Sequence, residues 1–298
     1  MDDSLSPRGD GSGEVTLVVA SRDRWGDLRA TLPRHEAPVI LVDNGSTDGT
    51  PDLVREHFPE VRVIELGRNA GATARNIGVS AAPTPYVAFA DDDSWWSAGS
   101  LELAVDVMRD HARLGLLAGR VLVGNEERLD PTCAAMATSP LGRRPELPGP
   151  SVLGFVACAA VVRKTAFEQA GGFDEIVFFM GEEERLCLDL AALGWDMVYV
   201  EEAVVHHHPS ASRDPREREV RLARNRLLTA VLRRPWLVVL TTAARTGASG
   251  AAGRAALRSA AAALPRALRA RRPAPRQVEE LRQRLDGTRP VRGHTAAH

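Results

Sequence analysis

The stretch YVAFADDDSWW (residues 86–96) runs five mostly apolar residues into three aspartates and two tryptophans. The apolar part reads as a buried strand, so the carboxylates stand where that strand leaves the core. Adjacent like charges repel, and they persist there if a cation sits among them or if they lie in open water. On an extended backbone Asp91 and Asp93 point to one side and Asp92 to the other. Hard divalent ions such as Mn2+ or Mg2+ take oxygen ligands of this kind. An Asp-x-Asp by itself reads more readily as a solvated acidic turn, so its surroundings decide.

Upstream, VTLVVA (15–20) and PVILVD (38–43) are short aliphatic runs of the buried-strand type, and VRVIEL (61–66) is a third. WGDLRATL and GATARNIGVSAA between them read as helices, the second with small residues on one side. Thr50 is placed to cap the helix that begins with Pro51. Alternation of strand and helix predicts an α/β fold with a mostly parallel sheet flanked by helices. Ligands of such sheets bind beyond the carboxyl ends of the strands, where Asp43 and the aspartate run both fall. Downstream, SLELAVDVMRDH reads as an amphipathic helix, and LLAGRVLVG and VACAAVVRK as strands. Residues 125–150 lack a period and read as a long functional loop.

VVASRDR, VDNGSTDGT, NAGATARNIGV, FADDD and GEEERLCLDL occur in this order. Together they resemble the family 2 glycosyltransferases, including bacterial rhamnosyltransferase-like members, over about residues 14–210. The resemblance implies an A-type glycosyltransferase fold with a Rossmann-like central sheet. It also implies inverting transfer of a sugar from a nucleotide-diphosphate donor to a hydroxyl acceptor, with Mn2+ or Mg2+ as cofactor. By position it assigns Ser21, Arg22, Asp43, Arg75, Asp91 and Asp92 to the nucleotide sugar and Asp93 to the metal. Asp43 has a second role open to it, starting an Asx turn with Asn44 and Gly45, and the lesser alternative for Arg75 is a salt bridge on its helix face.

The acceptor hydroxyl needs a base, which in the family follows the Glu of a Gly-Glu-Asp motif. Here Gly181-Glu182-Glu183-Glu184 carries Glu183 in that place, a side chain one carbon longer. Helical periodicity agrees: Leu186, Leu190 and Leu193 form a core stripe, Glu183 lies on its side, Glu182 flanks it, and Glu184 turns toward solvent. The alternative is three acids decorating a helix N-terminus. His206, His207 and His208 end another strand, and imidazole is a common metal ligand. The resemblance implies that one completes the metal site; His206, directly after the apolar run, is the first choice and His208 the second. Trp95 and Trp96 are candidate walls for donor or acceptor sugar, along with Glu182 and His208, or else pack in the core.

From Arg213 onward the chain holds 20 Arg, no Lys and 6 acids, so a basic extension follows an acidic body. An anionic partner such as a membrane surface is one reading, and neutralisation of the body is the other. RNRLLTAVLRRPW could lie on a bilayer, which suits a lipid-linked acceptor, or pack on the catalytic domain. Nucleic-acid binding is disfavoured, because no recognition motif appears. Cys133, Cys158 and Cys187 form no CxxC pair, the N-terminus is polar, and WLVVLTTAA is too short to span a membrane. The chain therefore reads as cytoplasmic, peripheral on the inner membrane face. The expected divisions are a leader (1–13), the catalytic domain (14–210), an Arg-rich helical extension (211–285) and a tail (286–298). Two rivals are a nucleotidyltransferase on a similar sheet and a non-catalytic nucleotide-sugar binder.

Overall fold

The computed structural model describes residues 11–209 and 215–288. Most of the expected leader and tail lie outside the described residues. The strands are β1 (Val15–Ser21), β2 (Val39–Asp43), β3 (Arg62–Glu65), β4 (Tyr86–Ala90), β5 (Ser94–Trp96), β6 (Leu114–Val123), β7 (Arg128–Leu129), β8 (Ala160–Arg163) and β9 (Asp196–His207). The helices are α1 (Trp25–Thr31), α2 (Thr50–His57), α3 (Ala74–Ala81), α4 (Ser100–Asp110), α5 (Pro131–Ala137), α6 (Lys164–Gln169) and α7 (Glu182–Ala192), followed by the C-terminal α8 (Pro215–Arg233), α9 (Trp236–Ala248), α10 (Gly250–Arg269) and α11 (Arg276–Thr288).

One sheet runs β3-β2-β1-β4-β8-β6-β9-β5, with β7 on β6. Parallel pairing sets Ser21 level with Asp43, and Ala90 level with Val19. The acidic ends of β2 and β4 therefore leave the sheet along one edge. All five residues of β2 and of β4 are buried, which explains why neither alternates in polarity. Helix α3 lies hard against this half of the sheet: a Cβ on Gly78 would sit 2.4 Å from a Val18 methyl and 3.2 Å from one of Val42. The small residues on that helix thus have a packing cause. β8 is antiparallel to β4 and β6, while β9 returns parallel to β6. β9 reaches far enough to pair with β5, directly after the aspartates, setting Ser94 against His207 and Trp95 against His206.

Several local expectations are corrected. Thr50 is the first residue of α2 rather than its cap; the Asp48 carboxylate takes both the Thr50 N–H and hydroxyl. Residues 125–150 are not one loop, since they contain β7 and α5, which Asp130 caps through the Thr132 N–H. Leu193 is 53 % exposed because α7 ends before it, leaving Leu186 and Leu190 as the buried stripe. Glu184 does not face open solvent: it pairs with Arg282 of α11 at 2.9 Å. α11 itself continues to Thr288, past the boundary expected at 285.

The C-terminal helices dock by charge as well as by apolar contact. Leu227, Leu228, Val231 and Leu232 of α8 form a second core with Ile176 and Val177. Arg233 grips Asp189 of α7 at 2.5 and 3.2 Å. Arg234, also buried, takes Glu279 at 2.6 and 2.9 Å. Part of the arginine excess is thus consumed within the fold, and the segment RNRLLTAVLRRPW packs on the catalytic domain.

Candidate active site

Polar groups cluster where β1, β2 and β4 leave the sheet. At the end of β2, Asp43 is 2 % exposed, and its Oδ2 accepts the N–H groups of Gly45 and Ser46 at 3.2 and 3.0 Å. This is the expected Asx turn, and Gly45 at φ 82° lies too close to the Arg68 backbone for any Cβ. The other oxygen, Oδ1, is buried without a hydrogen-bond partner among the described residues. A buried acceptor of that kind is costly unless something binds it. At the end of β1, Ser21 donates to Asp92 Oδ2 at 2.9 Å. The next residue, Arg22, is exposed and pairs with Asp23 at 3.4 Å.

In the turn that joins β4 to β5 the three aspartates separate. Asp92 faces Ser21, and burial together with the charges of Asp91 and Asp93 pushes its carboxyl up to about 7. Asp91 and Asp93 instead gather with His207, their ligand atoms all within 4.8 Å of one another. His207 Nε2 lies 3.2 Å from Asp93 Oδ1, and the His208 N–H donates to the Asp93 carbonyl at 2.8 Å. His206 turns the other way: it bonds Ser97 Oγ at 2.7 Å, lies 3.0 Å from Glu127, and stacks on Trp95 at 5.2 Å. His208 also packs its ring against Trp95. The middle histidine, not His206 or His208, therefore joins the aspartates. Pairing of β5 with β9 fixes this, because residues 206 and 208 share one face and 207 takes the opposite one.

The tryptophans also separate. Trp96 is buried and donates from Nε1 to the Phe89 carbonyl at 3.0 Å, which makes it a core residue and not a sugar wall. Trp95 lies on the His206 face, away from the Asp91–Asp93–His207 cluster, with the Arg34 guanidinium 4.1 Å above its ring.

Arg75 connects the aspartates to the acidic motif. It is 4 % exposed and donates to Asp91 Oδ1 at 2.5 Å. Burial opposes its charge, but Asp91, Glu182 and Glu183 hold its pKa above the ordinary arginine value. Glu182, the first residue of α7, is 1 % exposed with Oε2 unpartnered among the described residues. Burial and the neighbouring Glu183 charge push its carboxyl up to about 8. Glu183 is partly buried, and loss of solvent raises its pKa as well, opposed by its own backbone hydrogen bond and by Arg75.

The approach to α7 is strained. Phe178 and Met180 have φ of 73° and 70°, and Gly181 has φ of 86°. Such backbone persists when the surroundings impose it. Ala72 N–H donates to the Phe178 carbonyl at 2.7 Å, and Asn225 of α8 donates to the Phe179 and Met180 carbonyls at 2.6 and 2.7 Å. Asn225 is fully buried, and sequence reading passed over it because it stands in an Arg-rich helix far from every motif.

A model of glycosyl transferase family 2 matches residues 23–171. The N-acetylglucosaminyl-diphospho-decaprenol L-rhamnosyltransferase of Mycobacterium tuberculosis is 30 % identical over 212 residues, covering 59 % of this chain and 69 % of that protein. The pre-mycofactocin glycosyltransferase of the same organism is 33 % identical over 217 residues, covering 70 % of this chain but 46 % of that protein. Among solved structures, the mannosyltransferase PcManGT from Pyrobaculum calidifontis, in complex with GDP-Man and Mn2+, superposes with a TM-score of 0.58 at 20 % identity over 92 % of this chain and 85 % of its own. S. aureus TarS 1-349 in complex with UDP-GlcNAc gives 0.57 at 15 % identity, covering 90 % and 83 %. With the family matched in sequence and the A-type sheet matched in three dimensions, the chain belongs to glycosyl transferase family 2 and is a glycosyltransferase.

Proposed function

We propose that this enzyme transfers a sugar from a nucleoside-diphosphate donor to a hydroxyl acceptor, with inversion, using a divalent cation held by Asp91, Asp93 and His207. The gathering of those three side chains within 4.8 Å carries the reading. Two carboxylates and an imidazole suit Mn2+ or Mg2+, and Arg75 ties the cluster to the acidic motif. A cation held by these three side chains would offset the charge that accumulates on the departing nucleoside diphosphate.

The remaining roles fall to the protein. The partnerless Asp43 oxygen accepts a hydrogen bond from the nucleotide base, and Ser21 and Asp92 border the nucleotide beside it. Glu183 removes the acceptor's proton, and its raised pKa brings it closer to the working range of a base. Glu182, more deeply buried and holding its proton near neutral pH, sits beside Arg75 and positions its neighbour. We assign the acceptor to a groove of about 370 Å³ lined by Val177, Phe178, Phe179, Val220 and Arg224, together with an Arg221 already paired to Glu217. Its apolar walls and the Arg224 guanidinium suit an acceptor whose hydroxyl-bearing sugar is linked through phosphate to a lipid.

Calorimetric titration of UDP, dTDP and GDP, with and without Mn2+, tests the donor site. Binding of one nucleotide only with metal supports it, and no binding under any condition sinks it. For the base, Glu183→Gln should abolish transfer while leaving nucleotide affinity intact. Wild-type transfer should rise with pH through a midpoint above that of an ordinary glutamate. Undiminished transfer by Glu183→Gln removes Glu183 from the mechanism and favours another base.

A further inference from the structure

The hairpin formed by α9 and α10 has no role in the site, yet it carries the most apolar exposed surface of the molecule. Five of the eight large hydrophobic residues exposed among the described residues lie on it: Trp236, Leu237, Leu240, Leu264 and Leu268. Leu237 and Leu240 are 73 % and 65 % exposed. The opposite face is used, since Val239, Ala260 and Ala267 pack into the second core with α8. Arg271, just past α10, places its guanidinium 4.2 Å over the Trp236 ring at the start of α9. The two helices therefore run antiparallel, and the start of one lies beside the end of the other, so the five residues gather at one end of the hairpin.

Charge selects what covers that end. From Pro235 to Ala274 the chain has seven arginines and no acidic residue. Arg245, Arg254, Arg258 and Arg269 form no ion pair among the described residues, and all four are exposed. A second copy docking through the same face would set arginines against arginines. Apart from the exposed Glu175, which pairs with Arg266, the charges around this apolar patch are cationic, and such a patch is complementary to a surface whose interior is hydrocarbon and whose rim is anionic. No helix among the described residues is long and apolar enough to cross a membrane, so contact would be lateral.

We propose that the Trp236–Leu240 and Leu264–Leu268 end of this hairpin docks the enzyme on an anionic lipid bilayer. Leu237 and Leu240 enter the acyl boundary, Trp236 settles at headgroup level, and the unpaired arginines face lipid phosphates. Because α8 both carries this hairpin and fixes the Phe179 and Met180 carbonyls ahead of Glu182, docking holds the acidic motif at a set place relative to the lipid surface. The purpose, delivery of a lipid-linked acceptor, rests on the glycosyl-transfer reading above, whereas the binding does not.

Flotation of the full chain with lipid vesicles tests it, using phosphatidylcholine alone and phosphatidylcholine mixed with phosphatidylglycerol. The chain should float only with the mixed vesicles and release as salt is raised. The double variant Leu237→Ser, Leu240→Ser, and separately Arg254→Glu, Arg258→Glu, should each weaken binding at least about tenfold. Both should leave metal-dependent nucleotide binding unchanged. No flotation with mixed vesicles, or undiminished flotation of both variants, overturns the proposal. So does a lipid-free dimer that Leu237→Ser, Leu240→Ser converts to monomer, because the face then belongs to a second copy. Failed flotation with intact transfer to a soluble acceptor rejects docking alone, and flotation without any transfer rejects the catalytic reading alone.

Discussion

Asn225 offers a direct probe of how the C-terminal helices serve the acidic motif. Its side-chain amide donates at 2.6 and 2.7 Å to two carbonyls of the strained segment before Glu182, and the residue is fully buried. Asn225→Ala removes both donors and leaves two carbonyls short of partners. Each lost bond costs about 1 kcal/mol, and each stranded carbonyl adds to that, so the total is about 2–4 kcal/mol. Asn225→Asp keeps the shape but cannot donate, so it should cost a similar amount. Urea unfolding measures this loss as a lower midpoint at unchanged slope. With the Phe179 and Met180 carbonyls released, the positive φ of Met180 is no longer imposed and Glu183 loses its placement, although Ala72 still holds the Phe178 carbonyl. In conditions where both variants are folded, kcat should fall at least about tenfold, a cost of about 1.4 kcal/mol in the barrier. Nucleotide affinity should hold, because Ser21 and Asp43 belong to other elements. If Asn225→Asp changes neither stability nor kcat, the amide does not anchor this segment and the reasoning fails.

The histidine run gives a second test. His207→Ala should weaken Mn2+-dependent nucleotide binding at least about tenfold, whereas His206→Ala, whose ring bonds Ser97 and Glu127 instead, should leave it nearly unchanged in calorimetry. Acid sensitivity comes from His35, whose burial lowers its pKa from 6.5 to about 4, with neither ring nitrogen partnered among the described residues. Between those values the unfolded chain holds a proton that the folded chain does not. Its contribution is complete above pH 6.5 and falls by up to about 3 kcal/mol toward pH 4. His35→Leu should flatten that part of the stability–pH curve measured by urea unfolding. At Gly78, an added methyl 2.4 Å from Val18 must push α3 off the sheet, so Gly78→Ala should cost about 1–3 kcal/mol in thermal or urea melts despite the better helix propensity of alanine.

Much of the half built on β1, β2 and β4 was legible in the chain because its determinants are local. Aliphatic runs, turn glycines and the acids that follow them lie within a few residues of one another, and strand order then aligns their ends. The Asx turn at Asp43 is such a feature, and so is the division of Asp91 and Asp93 from Asp92. The start of α7 at Glu182 followed from the same kind of local pattern.

Long-range pairing decided the rest. Which histidine meets Asp93 depends on β5 lying antiparallel to β9 with Trp95 opposite His206, and no residue near the histidines encodes that register. The same pairing put Trp95 on the far face, while the core claimed Trp96 through the Phe89 carbonyl. Glu184 was expected in solvent because its helix, taken alone, exposes it; the partner, Arg282, lies 98 residues away. By itself the sequence determined the strand–helix alternation, the acidic strand ends and the motif at the start of α7, since each is set by neighbours along the chain. Only the tertiary structure decided which histidine joins Asp91 and Asp93, the support of the strained segment by Asn225 and which arginines remain at the surface, since each depends on segments that only folding brings together.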